Sequence, residues 1–155
     1  MNNLIKIQAF DVILKRFWSK KIENLKVILQ IDNHFWTGDL LNWSSNSIVE
    51  EYIDGLGVID KTLYYKDNSE FLKKIYIASD EYTKKIGYTI SKIEDSRLIF
   101  NIINEIIDTI DFSGVESKID DVLYNAVSLS NDVELPFLSL KNSEIKLVAI
   151  KRNDH

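Results

Sequence analysis

The residue pattern predicts an α+β fold: a mainly antiparallel sheet with helices on one face, including an antiparallel helix pair near 96–129. Two observations lead there. Apolar residues recur three and four apart in Leu4 to Trp18 and again in Leu98 to Ile110, the spacing of one buried helical face. Leu25 to Ile31 and Ile145 to Ile150 instead alternate, the spacing of half-buried strands, and turn residues follow the first of them directly.

In chain order, Ile7, Phe10, Ile13, Leu14 and Phe17 favour a first helix, although Ile5, Ile7 and Ala9 also alternate as a strand would. Leu25, Val27, Leu29 and Ile31 then form a strand, and Asp32-Asn33 is hairpin chemistry leading into a second strand, His34 to Asp39. Ser47 with Glu50 makes a capping box before Ile48, Val49, Tyr52, Ile53 and Leu56, so a short helix is expected there, stopped by Gly55 and Gly57. Thr62 to Tyr65 reads as a strand. For 71–86 two readings stand: a helix capped by Asn68 or Ser69 and striped by Phe71, Leu72, Ile75 and Tyr82, or a strand through Ile75 and Ile77. Ile86, Tyr88 and Ile90 alternate as a strand.

The central helix carries Ile99, Ile102, Ile103, Ile106, Ile107 and Ile110 on one face, with Asp95 or Ser96 as its N-cap. Isoleucine's branched Cβ loses rotamer freedom in a helix, so this element depends on burial. Asp111 to Gly114 forms a turn, and Ile119, Val122, Leu123, Ala126 and Val127 stripe a second helix, packed antiparallel on the first. The Ile145 to Ile150 strand closes the sheet. No repeat, linker or composition break divides the chain, and 1–155 is expected to form a single globular domain.

The chain has 155 residues, 45% of them hydrophobic and 28% charged, as in ordinary globular proteins. No apolar run approaches the ~18 residues of a membrane span, and no signal-peptide pattern opens the chain, which leads us to expect a cytoplasmic protein. The absence of cysteine removes disulfides, thiolate ligands and thiol nucleophiles together. The net charge of −5 is unevenly spread. Residues 1–31 carry six basic and two acidic side chains, 32–60 carry six acidic and none basic, and 61–93 carry seven basic and four acidic. Residues 94–136 carry ten acidic and two basic, and 137–155 carry two acidic and four basic. Folding either mixes these blocks or leaves a negative patch.

Motifs for chemistry are missing. With only His34 and His155 and no cysteine, no metal site is expected. Gly55-Leu56-Gly57 lacks the third glycine of a dinucleotide loop, no P-loop occurs, and no serine sits in a G-x-S-x-G elbow, so neither a cofactor nor nucleophilic catalysis is expected. The acidic balance also disfavours nucleic acid. By exclusion, the expectation is a non-enzymatic protein-binding domain that neutralises a basic partner, by class-level analogy with bacterial immunity proteins that inhibit nuclease toxins. The expected contact residues are Glu50, Glu51 and Asp54 on the outside of the first short helix, and Asp120, Asp121 and Tyr124 on the outside of the second member of the helix pair. Trp43, in a loop-like stretch, is added as an aromatic anchor. The alternatives are a small metal-dependent or acid–base enzyme built on surface carboxylates, and an adaptor or structural subunit of a larger complex.

Overall fold

The structure is a computed structural model and describes residues 3–18, 25–40, 52–53, 57–58, 69–87, 89–117 and 119–152. Among the described residues it has an α+β architecture with a five-stranded antiparallel sheet and three α-helices. The helices are α1 (Leu4–Trp18), α2 (Ser69–Ile86) and α3 (Ser96–Asp108). The sheet comprises β1 (Leu25–Ile31), β2 (His34–Asp39), β5 (Val122–Ser128), β6 (Glu134–Ser139) and β7 (Ile145–Arg152), in the order β6-β5-β2-β1-β7. Two short strands, β3 (Tyr52–Ile53) and β4 (Gly57–Val58), pair separately. Among the described residues, no helix is long and apolar enough to cross a membrane.

The β1–β2 hairpin forms where its turn chemistry places it. Asp32 and Asn33 both take positive φ, the backbone that Asn and Asp tolerate best after glycine and that a two-residue hairpin turn needs. Leu25, Val27, Leu29 and Ile31 are buried on one face of β1. Against that face lies α1, which pairs Phe10 with Phe100 of α3 at 5.3 Å and reaches α2 through Arg16, whose Nη2 donates to Asp80 at 2.9 Å. Surrounded by sheet and helices, α1 is buried nearly all round, Asp11 and Lys15 included. The isoleucine face of α3 is core, from Ile99 at 0% to Ile107 at 4% exposed. Asp95 caps that helix, accepting the Arg97 and Leu98 backbone N–H groups.

Three expectations are corrected. The 119–127 stretch does not form the second member of a helix pair; β5 runs there instead, and α3 packs on α1 and α2. The physical reason is a β-bulge: Asn125 has φ 52°, and the β2 register shifts between Thr37 and Asp39. The extra residue puts buried Leu123 and Ala126 three apart, which imitates a helical step. At this point β2 carries Gly38, where a Cβ would meet the Tyr124 carbonyl oxygen at 2.7 Å, so only glycine allows the strands to approach.

Second, the expected strand through Ile86 and Ile90 is the end of α2 followed by a 3-10 turn, Ile90–Lys92. Gly87, at φ 72°, ends the helix in the left-handed conformation and donates to the Thr83 carbonyl at 3.1 Å. The helix reading of 71–86 is therefore the right one. Third, the end of the expected helix from Ser47 is a hairpin, since Tyr52–Ile53 pairs with Gly57–Val58. Aromatic and β-branched residues suit a strand there, and glycine is a poor helix former. The rest of that helix and the Thr62 to Tyr65 strand lie outside the described residues.

Candidate functional site

Where α3 ends, Thr109 donates its backbone N–H to the Ile106 and Ile107 carbonyls and the chain turns away. The Asp111 to Gly114 turn forms as its residues predict. The Asp111 carboxylate accepts the Ser113 backbone N–H at 2.9 Å, Gly114 supplies a φ of 73°, and Val115 donates to the Phe112 carbonyl at 3.1 Å. Phe112 is anchored beside Phe71 of α2, ring centroids 6.2 Å apart. Further on, buried Ile119 holds the loop down, and Gln8 of α1 donates its Nε2 to the Ile119 carbonyl at 3.2 Å.

Between the first turns of α1 and this loop lies a cleft of about 710 Å³, within the range of ordinary ligand sites. Leu4, Ile5, Ile110, Phe112 and Val115 supply apolar wall, Gln8 and Ser117 polar wall, and Lys6, Asp111, Glu116 and Asp121 charge. The three carboxylate residues are exposed, and Lys6 is half-buried. The Ser113 backbone N–H, with help from the Ser113 side chain and Lys74, holds the Asp111 carboxyl below the usual aspartate range, so it stays ionised. The last turn of α3 holds Asp108 and no basic residue, and Asp108 lines a neighbouring hollow together with Lys6 and Lys146, which offset the negative pole of the helix.

The expected contact residues fare differently. Asp121 lines the cleft, whereas the carboxylate of Asp120 accepts the Tyr124 hydroxyl at 2.8 Å. Tyr124 stands in β5 opposite Asp39 and Phe137. Asp120, Asp121 and Tyr124 therefore do not share the outer face of a helix: Asp120 and Tyr124 are joined by that bond at the entry of β5, and Asp121 lines the cleft. Glu50, Glu51, Asp54 and Trp43 lie outside the described residues. Missed from the sequence were Lys6, Gln8, Asp111 and Glu116. The available signal was the acidic bias of 94–136, but joining it to the start of α1 requires the fold.

A second polar group, also missed, is buried at the end of β1 and β2. Lys15 Nζ lies 3.3 Å from Asp11 Oδ1 and 3.1 Å from Asp39 Oδ1, and also donates to the Leu25 carbonyl at 3.3 Å. Lys26 Nζ reaches Asp39 Oδ2 at 2.9 Å, and Leu40 donates its backbone N–H to Asp11 Oδ2 at 2.9 Å. Burial pushes the Asp11 carboxyl up, and Lys15 only partly offsets it. Burial also acts to raise Asp39, but there Lys15 and Lys26 together prevail and hold it below the usual value. Burial opposes the charge of Lys15, yet the two carboxylates outweigh it and raise its pKa. Each charge is committed to its neighbours, so the cluster fastens α1 to the sheet. Among the described residues, no group of three or more His, Cys, Asp or Glu is placed to hold a metal ion.

No family model, no curated protein and no solved structure matches the chain.

Proposed function

We propose that the protein binds and neutralises a basic protein, such as a bacterial nuclease toxin, in the manner of an immunity protein. One observation carries the reading: Glu105, Asp108, Asp111, Glu116, Asp120 and Asp121 are all exposed along one continuous stretch, from the second half of α3 to the entry of β5. Of the chain's basic residues, only Lys118 falls within that stretch of sequence, while Lys6 in the cleft, Lys74 near Asp111 and Lys146 in the hollow beside Asp108 border it. A nuclease must itself attract phosphate, so a negative surface on its inhibitor exploits a field the enzyme cannot give up. Apolar wall inside the acidic cleft adds the contact area that charge alone lacks.

The test is co-expression with the product of the neighbouring gene, isolation of the complex, and association kinetics at low and high salt. A basic partner is expected, with association slowing as salt shortens the Debye length to about 8 Å at physiological ionic strength. Reversing Asp111, Glu116 and Asp121 to lysine should slow association by about tenfold or more at low salt. If the triple variant associates and protects as well as wild type with unchanged salt dependence, this face is not the one used.

A further inference from the structure

We infer that β7 is the interface of a two-fold dimer, in which the β7 strands of two copies of this chain pair antiparallel and join their five-stranded sheets into one. The inference goes beyond the basic-partner reading and does not depend on it.

The strand order leaves two sheet edges, β6 and β7. β6 carries Pro136, which has no N–H to give and suits an edge that stays unpaired. β7 has eight residues and no proline, and among the described residues no strand lies on its outer side. Its hydrogen-bonding phase follows from β1. Asp32 donates its backbone N–H to the Glu144 carbonyl at 3.0 Å, so Gln30, Ile28 and Lys26 also turn their backbone groups towards β7, where they meet Lys146, Ala149 and Lys151. The bulge gives β7 one extra residue, and the groups left facing outward are those of Ile145, Leu147 and, beyond the bulge, Ile150.

These positions select a register. Setting Ile145 opposite Ile150 of the second copy brings outward-facing groups together on both strands. Both residues lie on the helix side of the sheet, across from Ile31 and Val27, which are buried there. On the other face, the same register sets Glu144 opposite Lys151 of the second copy and Lys146 opposite Ala149. The charges favour this arrangement. Lys151 stands directly across from Lys26 of its own chain, a repulsive placement. Asp39 engages Lys26 at 2.9 Å, whereas neither Lys151 nor Glu144 has an ion pair among the described residues. The adjacent in-phase register instead sets Lys146 against Lys151 of the second copy, and repulsion excludes it. Apolar surface is covered as well: Ile145 and Leu147 are only half-buried against the core, and Val148 is 39% exposed. With β6 closed by proline, pairing stops at two copies and does not propagate into a filament.

The experiment is sedimentation velocity on the intact chain from about 1 to about 200 µM. A species of twice the 18.0 kDa chain mass should grow with concentration. Lys151→Glu alone and Glu144→Lys alone should each weaken dimerisation by about tenfold or more, because each sets like charges together at both ends of the pairing. An equimolar mixture of the two single variants should restore the dimer, since every Glu then meets a Lys across the interface. Lys141→Glu, the same charge change placed before the strand, should leave it unaltered. In hydrogen exchange, the amides of Ile145 and Ile150 should be better protected at the higher concentration. A monomer throughout the range, growth beyond the dimer, a dimer indifferent to both reversals, a mixture that fails to associate, or exchange at Ile145 and Ile150 that ignores concentration would each overturn the assignment.

Discussion

Lys15 sits 6% exposed between two carboxylates, and taking three such charges out of water is repaid only while all are present. Lys15→Met should therefore cost about 3–5 kcal/mol at neutral pH, read by urea denaturation, since it strands Asp11 and Asp39 with only Lys26 to offset them. The acid response is two opposed steps. Asp39 is held below the ordinary value of 3.8, so its contribution is complete above that value and is lost as pH falls through the lower folded value. Asp11 is raised above 3.8, so its ionised form costs stability, and lowering pH through the raised value towards 3.8 relieves that cost. Asp11→Asn should remove the gain and Asp39→Asn the later loss; acid limbs identical to wild type in both variants would show that the cluster does not govern acid stability. Asp11 and Lys15 stand four apart in the sequence, but the same helix carries Lys6, Gln8 and Arg16, so the pattern does not mark that pair as buried. The contact with Asp39 spans 24 or more residues, and only the packing of α1 on the β2 end creates it.

At the scale of the element, α3 shows where sequence periodicity suffices. Ile103 and Ile106 are both 0% exposed, and Ile103→Ala or Ile106→Ala should each cost about 2–5 kcal/mol in chemical denaturation. A loss below ~0.5 kcal/mol at both sites would contradict this packing. The same periodicity misleads in β5, where Leu123, Ala126 and Val127 carry helical spacing because the bulge at Asn125 inserts a residue into an alternating strand. Composition was the better guide there: Val122, Tyr124 and Val127 are strand formers, and Asn125 is among the few non-glycine residues at ease with positive φ. In α2 the misleading feature is the reverse. Ile86, Tyr88 and Ile90 alternate, but Gly87 between them is a helix terminator, and its αL backbone overrides the pattern.

Across the whole molecule, the acidic surface was legible as a charge block in 94–136, since exposed carboxylates need no partner to declare themselves. The cleft was not legible, because its walls come from α1 and from a loop more than a hundred residues later, joined by Gln8 and Ile119. The strand order has the same non-local character. The hairpin made first, β1–β2, lies at the centre of the sheet, and its two neighbours, β5 and β7, come from the last third of the chain. A polypeptide emerging from the ribosome therefore holds an unpaired edge on each side of that hairpin until β5 and then β7 have been made. Interrupted translation would release a sticky template, and pairings of such long sequence separation form slowly. A chain ending at residue 144, which lacks β7, should remain aggregated after expression where the full chain stays monodisperse by light scattering. Were it to fold as a monomer, the outer strand would be dispensable. Holding the chain on a chaperone until β5 and β7 have paired should accordingly raise its yield.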